Sequence, residues 1–378
     1  MFGPRLRLCR VSGIAIKVDA SWFLVAALVT WTLAVGLFPR DHLGLSSLSA
    51  WSMAVAAALG LFKSIVLHEL GHALMARRMG LRIRTITLFI FGGLAEMEDE
   101  PKNARAEFLV AVAGPAVSVA VAVLALLAGL ALRLVPLPYA DLAADVCFYV
   151  AWANALLIAF NAIPAFPLDG GRVLRAALWG ITGSMRKATR ICSFLGQGFG
   201  FLLIAAGAVI AYWTGSLLAG AWTAVLGWFL RRAASLSWKQ LLLRTALEGE
   251  RVEHFMRRDP ISVPPSLSVA ELVSDYVTRF HHTMFPVLQG ERLIGCVTTH
   301  RLREIPKEEW CRRSVASLLE APSPENSISP ETAAIHALQR MSHRGRLMVV
   351  EGDRLVGIVS MRDLLRLLAT KVEVGEAA

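Results

Sequence analysis

The sequence is short of charge: charged residues make up 18 % of its 378 positions, against 55 % hydrophobic. That balance, with a mean hydropathy of +0.54, excludes an ordinary soluble protein. Cysteine is sparse as well. Cys9, Cys147, Cys192, Cys296 and Cys311 form no CxxC pair and no disulfide-like spacing, so they read as free thiols. No basic stripe interleaved with aromatics is present. The formal net charge is +10, but Lys and Arg sit in joints between apolar blocks, which points to anchoring at a membrane face and away from nucleic acid. A small-residue cleavage site is missing too. Arg5, Arg7, Arg10 and Lys17 precede an apolar run from Trp22 to Phe38, which reads as a first membrane helix rather than a removed signal peptide.

The chain does contain long apolar runs. They fall at 20–38, 51–76, 107–132, 143–161, 193–213 and 216–231, and imply about six membrane helices at roughly 17–25 residues each. Charge orients them. Arg77, Arg78, Arg82 and Arg84, then Lys102 and Arg105, the basic residues between Arg172 and Arg190, and Arg231 with Arg232 all fall on one side, together with the N-terminal bases. The alternate joints, 39–49, 135–141 and 214–216, carry almost none. The expectation is a multi-pass protein of the plasma membrane with both termini cytoplasmic.

Chemistry concentrates in the second run, where His68-Glu69-Leu70-Gly71-His72 is an HExxH motif. Positions four apart share a helix face, so both imidazoles can reach one zinc ion, with Glu69 beside them as the base for water. The bland alternative is a polar patch bridging two membrane helices. A glutamate and two histidines in an apolar segment are expensive unless paired or functional. A catalytic zinc needs a third protein ligand. Asp169 is the candidate, in a segment from Asn161 to Gly171 broken by Pro164 and Pro167 and closed by Gly170-Gly171. A kinked helix end followed by a turn would explain the prolines but not Asn161 and Asp169 together.

HExxH in one membrane helix followed by Asn161-x-x-Pro164-x-x-x-Leu168-Asp169-Gly170 in another resembles the site-2 protease family of intramembrane zinc metalloproteases (peptidase M50). The resemblance runs from Gly13-Ile14-Ala15-Ile16 to about Gly180. It implies one zinc per chain on His68, His72 and Asp169, Glu69 as general base, and Asn161 against the substrate backbone or the oxyanion. Leu81 to Glu98 is β-rich, with Gly92-Gly93 at its middle. It is either an ordinary cytoplasmic hairpin or, as the family resemblance implies, a membrane-dipping β element, with Gly92 and Gly93 holding an extended substrate by strand addition. Ala113-Gly114-Pro115 resembles a further family motif of close helix packing.

From Arg251 the sequence changes character and repeats. Glu291 to Leu302 recurs as Asp353 to Leu364, offset by 62 positions, and each copy follows a helix-like stretch. This hairpin-into-helix unit resembles a pair of CBS domains. In that family a Ser or Thr and an Asp hold the ribose and phosphate of an adenine nucleotide, which implies Thr298, Ser360 and Asp363 as contacts for ATP, ADP or AMP. Arg301 stands where the first copy would need its aspartate, so at most one site is intact. A module used only to form a homodimer is the bland alternative.

The expected protein is thus a polytopic α-helical membrane protein with a C-terminal soluble α/β CBS-pair domain. Residues 1–240 form the transmembrane metalloprotease domain, and 250–372 the regulatory pair, joined by a charged helical connector from Lys239 to Glu250. Expected partners are the lipid bilayer and a single-pass membrane protein cut in or near its spanning segment. The runner-up is a CBS-regulated transporter or channel, since a polar midplane cluster can mark an ion path. Paired broken helices in symmetric halves would favour it, and the sequence has none.

Overall fold

The computed structural model describes residues 5–11, 13–42, 44–90, 92–97 and 101–373. The chain divides into two compact units, Met1–Lys239 and Gln240–Ala378. In chain order the first contains β1 (Arg5–Val11), β2 (Ile14–Asp19), α1 (Ala20–Asp41), α2 (Ser47–Arg78), β3 (Ile83–Phe89), β4 (Gly92–Met97), α3 (Ala104–Arg133), α4 (Ala140–Asn161), α5 (Asp169–Thr182) and α6 (Met185–Thr214). Helix α7 (Leu217–Leu247) runs across the division.

Among the described residues five helices, α1, α2, α3, α4 and α6, are long and apolar enough to span a bilayer. The sixth expected run, 216–231, falls in α7 from Leu217 onward, where Arg231 and Arg232 curtail the apolar stretch. Lys and Arg side chains also cut short the helix-like pattern before 193 in sequence, yet α6 starts eight residues earlier. Its start is set by Ser184, whose hydroxyl accepts the Lys187 N–H and caps the helix. Helix α2, about 48 Å long at 1.5 Å per residue, is capped by Ser46 accepting from Ser49 N–H at 3.2 Å.

The N-terminal bases do more than flank the first helix. They lie on or beside β1 and β2, which join β3 and β4 in one sheet of order β1-β2-β3-β4. Strand β2 pairs in parallel with β3, Ala15 to Thr85 through Val18 to Leu88. The alternation of Ile14, Ile16 and Val18, all at most 2 % exposed, is the period-two signal of a half-buried strand. Ile14 and Val18 pack with Ile86, Leu88, Ala73, Ala76 and Val110. The hairpin expected between Leu81 and Glu98 is present as β3–β4, and Glu98 lies outside the described residues.

The second unit holds a helical run at 269–280 (α8), β5 (Met284–Gln289), β6 (Arg292–Thr298), β7 (Ser327–Ile328), α9 (Ala334–Arg344), β8 (Arg346–Glu351), β9 (Arg354–Ser360) and α10 (Met361–Glu373). Its sheet runs β5-β6-β9-β8-β7. The sequence repeat is reproduced in strand register. Met284 pairs with Thr298 as Arg346 pairs with Ser360, and each hairpin breaks register at the matching place, Val287/Leu288 and Val349/Val350. Each copy has its own apolar core, one around Phe285, Val287 and Val297, the other around Leu347, Val349 and Val359. Met284, Leu293, Cys296 and Met348 join them.

Candidate functional site

Helix α2 places His68 and His72 on one face, 3 % and 4 % exposed. Asp169, the first residue of α5, reaches the same point. The two Nε2 atoms are 3.1 Å apart, and Asp169 Oδ2 is 3.1 Å from each. Asp169 can be there because α4 stops at Asn161 and a loop, 162–168, returns the chain, with Ala165, Phe166 and Leu168 buried. Gly170 and Gly171 lie so close to the Ala162, Ile163, Ala165 and Phe166 backbone that a side chain would collide, which is the reason for the glycine pair.

The outer ring nitrogens are fixed. His72 Nδ1 donates to the Val110 carbonyl at 2.7 Å, and His68 Nδ1 lies 2.9 Å from Ser118 Oγ. A carbonyl oxygen only accepts, so a neutral His72 carries its proton on Nδ1 and turns a lone pair inward. Helix α3 supplies both outer partners and also the space, since a Cβ at Gly114 would run into the His72 ring. With the His68 proton likewise on Nδ1, toward Ser118, the three inner atoms are all acceptors, and at this spacing they call for a cation. Zinc bonds of about 2.0–2.1 Å in tetrahedral arrangement put ligand atoms roughly 3.3 Å apart. Two imidazole nitrogens and a carboxylate oxygen, buried and mutually 3.1 Å apart, fit that requirement.

Glu69 stands next to this triad, within electrostatic reach of His72, His68 and Asp169. Gly93 of β4 packs directly on it, so closely that a Cβ there would overlap the Glu69 carboxyl group. Gly92 sits one residue back, paired with Phe89 at the hairpin end. Asn161 spends its amide on its own helix, donating to the Leu157 carbonyl at 3.0 Å.

Sequence reasoning missed the groups that hold the triad. Ser118 and Val110 carry no motif. Glu107, fully buried in the first turn of α3, takes Arg172 Nε at 3.2 Å and Arg175 Nη2 on the same oxygen. Those two arginines look like orienting charges in sequence, yet here they tie α5, and so Asp169, to α3. Asn154, 0 % exposed, donates to Ser64 Oγ at 2.9 Å between α4 and α2. A lone amide within an apolar run was the available signal.

In the second unit the three expected nucleotide contacts fall at two places. Ser360 donates its N–H and its hydroxyl to Asp363 Oδ2, the first at 3.0 Å. Both residues line a cleft. Thr298 is engaged otherwise, its hydroxyl donating to Glu320 Oε1 at 3.0 Å, with Arg301 Nε 3.7 Å from the same oxygen.

Comparison with known proteins agrees with both halves. The family model of peptidase family M50 matches residues 56–140 and 137–205, and that of the CBS domain matches 252–308 and 318–370. A Synechocystis protein named as a zinc metalloprotease, sll0528, is 33 % identical over 97 % of this chain and 96 % of its own length. Zinc metalloprotease MJ0392 of Methanocaldococcus jannaschii is 27 % identical over 96 % of both chains. The solved site-2 protease from Methanocaldococcus jannaschii aligns with 62 % of this chain and 95 % of its own at 26 % identity and a TM-score of 0.43. Membership of a protease family sets aside the transporter or channel alternative. With family match, full-length relative and spanning helices in agreement, the chain belongs to the site-2 protease (peptidase M50) family of membrane zinc metalloproteases and carries a C-terminal pair of CBS domains.

Proposed function

We propose that this protein hydrolyses peptide bonds in or near the transmembrane segments of single-pass membrane proteins, under control of an adenine nucleotide at its CBS pair. The observation that carries the first part is the buried triad of inward-facing acceptors, His68 Nε2, His72 Nε2 and Asp169 Oδ2, held among helices of spanning length. These three residues would hold one zinc ion, which when bound supplies Lewis acidity and lowers the pKa of water to about 7. Glu69 takes the proton from the attacking water and later delivers it to the leaving amine. Ser118 and Val110 keep both imidazoles in the orientation that presents Nε2 to the metal.

A helical substrate hides its peptide bonds, so it must be extended before attack. Strand β4 is an edge of its sheet, and Gly93 within it touches Glu69. A substrate strand added to that edge, at about 4.8 Å spacing, is carried alongside the base. Asn161 assists at the substrate backbone once its amide turns from Leu157. The positive-inside pattern supports a plasma-membrane protein with both termini cytoplasmic, which exposes the CBS pair to cytosolic nucleotide at Ser360 and Asp363.

The test is cleavage of a panel of membrane-spanning reporters by the purified protein. A cut within or beside the apolar segment, absent in Glu69→Gln, is expected. Reporters cut only in their soluble parts, or cut equally by Glu69→Gln, would reject the proposal.

A further inference from the structure

The second CBS copy opens a cleft of about 90 Å³. Arg257 and Asp259 enter it from the segment leading into the repeat, His282 from the loop before β5, and Arg346 from the first position of β8. Ser360, Arg362 and Asp363 close it at the β9–α10 junction. Three guanidiniums therefore face two carboxylates, and one of these is committed. Asp363 accepts from Ser360, and its other oxygen lies 3.4 Å from Arg257 Nε. Arg346 and Arg362 make no ion pair among the described residues. Arg346 is only partly exposed, and burial, with Arg257 and Arg362 alongside, pushes its guanidinium down against the pull of Asp363. The cleft carries one more positive than negative side chain.

We infer that this cleft selects a phosphate chain, binding a nucleoside di- or triphosphate in preference to the monophosphate, with His282 protonated in the complex. The inference rests on the nucleotide reading above and specifies which member of the class is bound. Each added phosphoryl group brings further negative charge to guanidiniums whose planar fork matches phosphate oxygens. Ser360 and Asp363 remain for the ribose side. His282 lines the cleft, its ring 6.0 and 5.8 Å from the Phe280 and Phe285 rings, centroid to centroid. The charged groups acting on it are Arg346 from β8, Arg257 from the entering segment, and Arg362 and Asp363 from α10; Asp259 shares the cleft. Burial and then the three arginines push its imidazole down, against Asp363, so it is neutral in the free protein at pH 7.5. A polyanion beside it reverses that balance. Affinity then rises as pH falls through the imidazole pKa of the complex, and levels off below that of the free protein.

The experiment is calorimetry on the full-length protein with ATP, ADP, AMP and inorganic tripolyphosphate, without divalent cation, in two buffers of different ionisation heat. ATP and ADP should bind about tenfold or more tightly than AMP, as expected for added charge-assisted bonds, with proton uptake for ATP. Arg346→Ala should shrink the ATP-to-AMP ratio to within about threefold, and Arg362→Ala, at an exposed position, should do the same without disturbing the fold. His282→Ala should abolish the buffer dependence. Equal affinity for ATP and AMP, or a ratio unmoved by both arginine variants, overturns the inference and leaves the nucleotide reading standing. Proton uptake unchanged in His282→Ala overturns the protonation step. Tripolyphosphate binding as tightly as ATP supports phosphate selection but overturns the nucleoside contact, and no heat with any of the four overturns both.

Discussion

Arg257 and Glu320 occupy the same place in the two copies of the CBS repeat with opposite charge. Arg257 bridges to Ile358, and Glu320 to Cys296, at matching positions of β9 and β6. Each faces a charge on the helix that follows, Arg257 toward Asp363 and Glu320 toward Arg301. The ion pair is kept and its polarity is exchanged. In the first copy a carboxylate therefore takes the Thr298 hydroxyl, at the place where a nucleotide would need it.

One nucleotide per chain is the expected stoichiometry. Asp363→Ala should weaken binding to the full-length protein about tenfold or more, as loss of a charge-assisted contact does, while Arg301→Ala leaves it within about twofold. Titration to a stoichiometry of two, or equal losses in both variants, would contradict this. The same Asp363→Ala protein should lose any response of cleavage rate to nucleotide and keep its zinc.

Glu69→Gln should retain zinc and lose cleavage, by about 10²–10⁴-fold, the usual contribution of a general base. His72→Ala and Asp169→Ala should lose metal. Ser118→Ala should weaken zinc about 10–100-fold while leaving all three ligands in place, the range for outer partners of a metal-bound histidine. Metal analysis beside the reporter assay separates the three outcomes, and full zinc in Asp169→Ala would move the third ligand elsewhere.

Glu107→Gln tests whether the buried cluster positions Asp169. Removing one partner of a buried ion pair costs about 3–5 kcal/mol, and here it also releases α5. Zinc affinity should fall together with thermal stability, and Glu107→Asp should recover part of both. A variant that loses stability but binds zinc at wild-type affinity would make the cluster purely structural.

Topology can be read with single cysteines in a background freed of Cys9, Cys147, Cys192, Cys296 and Cys311. Asp41→Cys, Pro138→Cys and Gly215→Cys should label from outside intact cells. Arg78→Cys, Lys187→Cys and Glu250→Cys should label only after permeabilisation. External labelling at position 250 would separate the CBS pair from cytosolic nucleotide.

What the sequence disclosed follows a physical pattern. The gathering of His68, His72 and Asp169 beside Glu69 was legible because ionisable groups in apolar segments stand out against hydration cost, and the repeat because two copies share one register. Ser118, Val110 and Glu107 were not. Their roles arise from which face of α3 packs on α2 and α5, and no local spacing encodes that. Glu107 was further disguised by Lys102 and Arg105, which make the start of α3 look like a solvated joint. Strands β1 and β2 were overlooked because their basic residues suited a membrane anchor, although the alternation of Ile14, Ile16 and Val18 was there to be counted.

The parallel pairing of β2 with β3 has a consequence for biosynthesis. Between Asp19 and Ile83 the chain passes through α1 and α2, and the two strands that flank them share backbone bonds. Bonded strands must lie in the same compartment, so the number of crossings between them is even. A nascent chain in which either helix fails to enter the bilayer strands β2 and β3 on opposite sides, and the sheet never closes. That sheet also delivers Gly93 to Glu69. Correct insertion of the first helix pair is thereby a precondition for bringing Gly93 to Glu69, and a mis-inserted chain is born without that contact.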